Sequence, residues 1–248
     1  MPLILNIDTA TEHASVCISE NEKLLCIEKS FEQKDHASFI QPAIKKSFEN
    51  IHQQISSIDA IAVTAGPGSY TGLRVGLATA KGLCYALNKP LILLNTLEVM
   101  AQACINEQSN IVATNNLQPA TNNGESHTTN FLFCPMIDAR RMEVFTALYD
   151  SELQAIIKPA AVILEEDSFK DHLGKQRIVF SGSGSGKFKK IIRHPNAIFS
   201  EVQHSAQHMI TLSVEFFSHK QFADIAYSEP FYLKEFFTTS NKHYGKKF

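Results

Sequence analysis

The sequence carries almost no net charge: Lys and Arg total 23 and Asp and Glu 25, leaving −2 over 248 residues with histidine neutral. No global field is then available to hold a polyanion by counterion release, so a stand-alone nucleic-acid binder is disfavoured. Charged residues of either sign are scarce as well. At 19% they fall below the roughly 25% usual for soluble domains, which points to a surface partly covered by another protein. The five cysteines, Cys17, Cys26, Cys84, Cys104 and Cys134, lack paired metal-type spacing and sit mostly in apolar runs. They read as reduced core thiols, not as a disulfide frame. No stretch approaches the length of a membrane span, and the start, Met-Pro-Leu-Ile-Leu-Asn-Ile-Asp, lacks a basic leader and breaks its apolar run too early for a signal peptide. A cytoplasmic location with no membrane partner is the expectation.

Several catalytic signatures are missing too. Ser69, Ser183 and Ser185 do not stand in the Gly-x-Ser-x-Gly pattern of a nucleophile elbow. The Gly66-Pro67-Gly68-Ser69-Tyr70-Thr71-Gly72 loop is neither Gly-x-Gly-x-x-Gly nor a P-loop, and Ser181 to Lys187 fails the P-loop test at Ser181 and Phe188. Of the ten histidines, His36 is followed four residues later by Ile40. His204 and His208 stand four apart, but Ser, Ala and Gln lie between them and no carboxylate accompanies them, so a polar helix start explains the pair. No metal site is expected.

What is present is a globular composition, 44% hydrophobic, in a length that suits one large domain or two small ones. Leu3 to Ile7, Ala14 to Ser19 and Lys23 to Ile27 read as an antiparallel meander. Phe39, Ile40, Ala43, Ile44, Phe48 and Ile51 recur at three- and four-residue steps and make the stripe of an amphipathic helix. Ile58 to Thr64 is a strand leading through the glycine loop into a helix that ends near Leu87. The strand Leu91 to Leu94 and a helix to about Cys104 follow. Residues 105–130 are crowded with Asn, Gln, Thr and Ser and read as a polar flexible insertion. The second half opens with a hairpin, Phe131 to Ile137 and Met142 to Tyr149, turned at Asp138-Ala139-Arg140-Arg141. A short helix over Glu165 to Leu173, strands at Arg177 to Phe180 and Ala197 to Phe199, a basic helix from Lys187 to Arg193, and a helix from Ala206 to Phe217 complete it. The expected organisation is an N-terminal lobe at 1–104, the insertion at 105–130, and a C-terminal lobe at 131–248 whose last helix packs back on the first lobe. Antiparallel strands followed by mixed strand–helix units in both halves make a duplicated α/β layout.

Two features bear on chemistry. The helix after Gly72 has almost no polar face and must be covered on every side, by its own chain or by a partner. Asp8-Thr9 ends the first strand and can offer a carboxylate and a hydroxyl to a phosphate-bound magnesium ion, although a strand-end Asp more often begins a turn. Lys187, Lys189, Lys190, Arg193 and His194, and the tail Lys242, His243, Lys246 and Lys247, read as solvated basic faces that can add weak contact to RNA held by another subunit.

Leu-Asn-Ile-Asp-Thr-Ala-Thr at 5–11, His36, the run Ala-Val-Thr-Ala-Gly-Pro-Gly-Ser-Tyr-Thr-Gly-Leu-Arg-Val-Gly at 62–76, Asp-Ala-Arg-Arg at 138–141 and Glu-Pro-Phe-Tyr-Leu at 229–233 resemble, in order and spacing, the bacterial TsaB family, also called YeaZ. The resemblance implies an α/β, actin-like fold of the sugar kinase, Hsp70 and actin superfamily, with two ribonuclease H-like lobes. It further implies a non-catalytic dimerisation subunit in making threonylcarbamoyladenosine beside the anticodon of tRNAs that read codons beginning with A. The partners so implied are a TsaD-like transferase, which carries the metal, and a TsaE-like ATPase, with tRNA reached through the complex. The partner interface expected is Phe39, Ile40, Ala43, Ile44, Leu73, Arg74, Gly76, Leu77 and Ala80. A degenerate nucleotide site would involve Asp8, Thr9, Gly182 and Gly184. No cofactor is required by this chain, while ATP or ADP with magnesium at the complex interface, and a homodimer of the free chain, stay open. The other reading is an autonomous ATP-dependent enzyme, an ATPase or kinase of the same fold.

Overall fold

The computed structural model describes residues 1–30, 32, 35–114 and 131–234. The first sheet is built from β1 (Leu3–Asp8), β2 (Ser15–Glu20), β3 (Lys23–Lys29), β4 (Ala60–Gly66) and β5 (Leu91–Asn95), in the order β3-β2-β1-β4-β5. β1 pairs antiparallel with β2 and parallel with β4. β1 and β4 are wholly buried. Strands covered on both faces read as unbroken apolar runs. Between β3 and β4 lies α1 (His36–Asn50), and between β4 and β5 lies α2 (Tyr70–Leu87). Ser69 caps α2, its side chain accepting from the Gly72 N–H at 3.2 Å. Left-handed Asn88 closes the other end.

α3 (Thr96–Asn106) begins at Asn95, whose side chain accepts the Leu97 N–H at 2.8 Å. It continues almost directly into α4 (Gln108–Thr114). This corrects the expectation that a flexible insertion begins at 105. Ile111 is buried against Ile105, Leu97 and the second sheet, and that burial orders the turn. The rest of the proposed insertion, 115–130, lies outside the described residues.

The second sheet contains β6 (Leu132–Asp138), β7 (Glu143–Tyr149), β8 (Ala155–Ile163), β9 (Ile178–Ser181) and β10 (Ala197–Phe199), in the order β10-β9-β6-β7-β8. Counted from its own first strand this is again 3-2-1-4-5, with the same antiparallel and parallel partners. β8 was not expected from the sequence. The short helix expected over Glu165 to Leu173 contracts to α5 (Lys170–Leu173), and the basic helix is α6 (Ser185–Ile191). A 3-10 turn at Ala206–Met209 leads into α7 (Ile210–Ser218), which packs on the first sheet beside Ile4, Ile92 and Leu94. Beyond α7 the chain stays with the first sheet: the Ala223 N–H donates to the Leu91 carbonyl at 2.8 Å, and Phe231 donates to Ala65 at 2.6 Å. The basic tail at Lys242 to Lys247 lies outside the described residues.

The candidate functional site lies between the two sheets

The ends of β1 and β4 meet the glycine loop at the edge of the first sheet. One Asp8 oxygen, Oδ1, accepts from the Thr64 hydroxyl at 2.9 Å and from the Ala10 N–H at 3.1 Å. The other, Oδ2, lies 3.3 Å from His204 Nε2. Asp8 is 1% exposed. Thr9 is sealed as well, its hydroxyl donating to the Gly72 carbonyl at 2.8 Å. The Thr9 hydroxyl and one oxygen of Asp8 are thus taken up by the chain itself, while the buried Oδ2 has no hydrogen-bond partner among the described residues and only the His204 ring close by.

The glycines around this turn have a packing role. A Cβ on Gly68 would fall on the Ala10 carbonyl, one on Gly72 on the Thr9 carbonyl, and one on Gly76 on the Thr9 hydroxyl. Their absent side chains let α2 and its loop ride directly over residues 8–10. Gly66 has φ +115°, a conformation that favours glycine, and its open face touches the Phe231 carbonyl. Gly182 and Gly184 play the same part in the second sheet. Gly182, at φ +85°, and Gly184 press against Met136, with Met100 and Val144 closing the remaining space.

Two clefts separate the sheets. A smaller one, about 240 Å³, is bounded by Thr11, Glu12, His13, Gly182, Ser183 and His204 among others. A larger one, about 620 Å³, is lined by Ala10, His36, Gly68, Thr71, Ile137 and Phe145, and shares Thr11, Glu12 and Ser183 with the first. Gly182 therefore faces a cleft, while neither Asp8 nor Thr9 lines one. Of the four residues of the expected nucleotide site, Gly182 lines the smaller cleft together with His204, whose ring lies against Asp8. His36, buried at the start of α1, hydrogen-bonds through Nε2 to the Thr11 carbonyl at 2.8 Å. One turn on, Ile40 is 1% exposed in the core. Among the described residues no group of three His, Cys, Asp or Glu side chains is placed to hold a metal ion. No described helix is long and apolar enough to cross a membrane.

On the second sheet, Asp138 receives the Arg140 N–H and the Lys187 ammonium, both at 2.6 Å. Partial desolvation acts to raise its carboxyl, but these two donors outweigh it and hold it below the usual carboxylate range. The Glu-Pro-Phe-Tyr-Leu segment spans the start of α2. The Arg74 guanidinium lies 3.9 Å from the Tyr70 ring centroid and donates to the Tyr232 hydroxyl at 3.2 Å, with the two tyrosine rings 5.7 Å apart.

The expected partner surface needs correction. Ile40, Ala43, Ile44, Leu73, Gly76, Leu77 and Ala80 are buried within this chain, where α1 and α2 pack against each other and on the first sheet. Of the nine, Phe39 is half-buried and Arg74 exposed. Of the two coverings the sequence left open for this apolar stripe, its own chain supplies the one observed. The outward face of α2 shows Arg74, Ala78, Gly82, Tyr85 and Ala86. Tyr85 is 85% exposed, and nothing lies within 4 Å of where a Gly82 Cβ would stand. Thr64 and His204, both partners of Asp8, were missed by sequence reading. His204 is 196 positions from Asp8, and no local pattern joins them.

Two sheets of one strand order, facing each other across a cleft, make a duplicated α/β fold. The family description tRNA N6-adenosine threonylcarbamoyltransferase, TsaD, matches residues 30–248. The chain belongs to this family, in its TsaB branch. The tRNA threonylcarbamoyladenosine biosynthesis protein TsaB of Bacillus subtilis is 26% identical over 239 residues, 93% of this chain and 93% of that protein. The protein of the same name from Haemophilus influenzae is 35% identical over 112 residues, a match that spans 44% of this chain and 47% of that relative's length. The solved structure of YeaZ from Pseudomonas aeruginosa superposes with a TM-score of 0.75 at 21% identity, covering 94% of this chain and all of that one.

Proposed function

We propose that this chain is the non-catalytic, dimerising subunit of an assembly that forms threonylcarbamoyladenosine in tRNA, next to the anticodon in tRNAs reading codons that begin with A. Its partner is a TsaD-like transferase, with a TsaE-like ATPase as the third component, in the cytoplasm. The observation that carries this reading is the burial of the strand-end pair behind the two clefts. Asp8 Oδ1 is held by the Thr64 hydroxyl and the Ala10 N–H, the Thr9 hydroxyl is held by Gly72, neither residue lines either cleft, and one turn after His36 the helix enters the core with Ile40. A carboxylate and a hydroxyl shut away from both clefts are not placed to hold a reacting phosphate or metal. The TsaB proteins of Bacillus subtilis and Escherichia coli, matched over 93% of this chain, support the biosynthetic assignment.

The partner covers the outward face of α2, where Ala78, Gly82 and Ala86 leave a shallow helix surface beside exposed Tyr85, with Phe39 at the flank. Small residues allow a second helix to approach closely, and an exposed aromatic supplies the anchor. No cofactor is needed by this chain alone, and ATP or ADP with magnesium belongs to the interface of the assembled complex. The same face carries the homodimer of the free chain.

Co-expression with the TsaD-like subunit from the same cell tests the proposal. Stoichiometric co-purification is expected, and Tyr85→Asp and Phe39→Asp, each placing a charge in the interface, should abolish it while the free chain stays folded. Retention of the complex by both variants would remove that surface. Tight binding and turnover of magnesium-ATP by the isolated chain would overturn the non-catalytic role and favour the autonomous ATP-dependent enzyme.

A further inference from the structure

A third cavity, about 360 Å³, lies where the β6–β7 turn meets the Glu-Pro-Phe-Tyr-Leu segment. Its walls include Tyr70, Phe145, Phe231, Tyr232, Arg140 and Lys234, and Phe231 is 45% exposed. Lys234 is neutralised by Glu143 at 2.5 Å. Among the described residues three guanidinium groups in this region have no carboxylate partner: Arg140 in the wall, its exposed neighbour Arg141, and Arg74, which rests on Tyr70 and Tyr232 beyond the wall, while the acidic wall residue Asp138 is paired with Lys187. An aromatic recess roomy enough for a base with its sugar, with Arg140 in its wall and Arg74 and Arg141 close by, has the composition of a single-strand nucleic-acid site.

The backbone of the turn adds an independent observation. Arg140 and Arg141 are consecutive and both have positive φ, +74° and +47°. Asn and Gly occupy that region readily, whereas long side chains are disfavoured there. Two arginines at these positions lower the stability of the hairpin and yet put two exposed cationic residues in succession at a turn whose Arg140 lines the cavity. Strain retained at a surface turn is a reason to look for function there.

We infer that this cavity binds single-stranded RNA, seating one unstacked base against Phe231 and Phe145 while Arg74, Arg140 and Arg141 meet the flanking phosphates. The inference rests on the tRNA reading above and adds to it a direct contact made by this subunit. The local cluster acts without any global excess of positive charge, so the contact is weak alone and supplements binding by the partner.

The test uses the full 248-residue chain and a fluorescein-labelled ten-nucleotide single-stranded RNA, followed by anisotropy across a salt series. Three neutralised phosphates give a slope of log K against log[salt] of about −2. Arg140→Asn combined with Arg141→Gly should bring that slope to about −0.7 and weaken binding at least tenfold, while Tm rises by about 2 to 4 °C as the positive-φ positions relax. Phe231→Ala should weaken binding roughly tenfold with the slope unchanged. An RNA affinity that the double variant leaves intact overturns the inference. So does equal binding of a poly-glutamate peptide, which would identify an acidic protein as occupant, or loss of transferase co-purification by the double variant. A wild-type chain that ignores RNA while the assembled complex still modifies tRNA refutes this site and leaves the proposed function standing.

Discussion

Two glycines of α2, Gly76 and Gly82, should respond to alanine in opposite directions. At Gly82 the added methyl meets open space, so only intrinsic helix propensity changes, a gain of about 1 kcal/mol. For a chain of this length that raises Tm by about 2 to 4 °C. At Gly76 the same propensity gain applies, but the methyl falls on the Thr9 hydroxyl, with Val63 at 3.4 Å behind it. That hydroxyl is fully buried and bound to the Gly72 carbonyl. Displacing it combines overpacking, about 1 to 3 kcal/mol, with a lost buried hydrogen bond, about 1 kcal/mol. The net loss is about 1 to 3 kcal/mol. Thr9→Ala should cost about 2 kcal/mol alone, yet combined with Gly76→Ala it removes the overlap, and the double variant should lie within about 1 kcal/mol of the wild type. Urea denaturation of the four proteins measures this cycle. Stabilisation by Gly76→Ala comparable to that at Gly82, or strictly additive losses in the double variant, would refute the packing argument.

Asp8→Ala should destabilise by about 1 to 3 kcal/mol, since the buried Thr64 hydroxyl and the Ala10 N–H lose their acceptor; a thermal melt unchanged from wild type would show that Asp8 is not structural. For His208, burial lowers the ring to about 4 from 6.5. The unfolded chain therefore takes up a proton between those values that the folded chain refuses, and stability falls as pH drops from about 6.5 to 4. The full difference is about 3 kcal/mol. In His208→Asn that part of the pH dependence should flatten, and identical slopes for both proteins in denaturation at pH 4.5, 5.5 and 6.5 would dismiss the assignment.

Much of the fold was legible because its strands are bounded by strong punctuation. β1, β2, β4 and β5 are short apolar runs ended by polar or glycine residues, and α1 has one clear stripe. β8 escaped because its sequence, Ala-Ile-Ile-Lys-Pro-Ala-Ala-Val-Ile, carries Pro159 in the middle. Proline weighs against a strand, but β8 lies at the edge of its sheet, where a missing donor is tolerated. The start of the supposed insertion was misread because one buried residue, Ile111, is enough to fold a polar helix against an existing core. The site was less legible. Apolar periodicity shows that α2 is covered on nearly all sides, but it does not tell which side the chain covers for itself. The glycine loop gave the place of close approach but not the approaching atoms, which are the Thr9 and Ala10 carbonyls. The Asp8–His204 pair exists only after the chain has crossed both sheets.

The return of the chain to its starting lobe orders events during synthesis. When the ribosome has finished β5, the glycine loop after β4 still has a bare flank, because Phe231, which donates to Ala65 and lies over Gly66, has yet to be translated. Lys81 likewise awaits the Ala226 and Ser228 carbonyls that accept from it. The nascent amino-terminal half thus passes through translation incompletely sheathed. A premature stop that spares both sheets but removes the last few dozen codons would leave a product with that flank exposed, a substrate for proteolytic quality control.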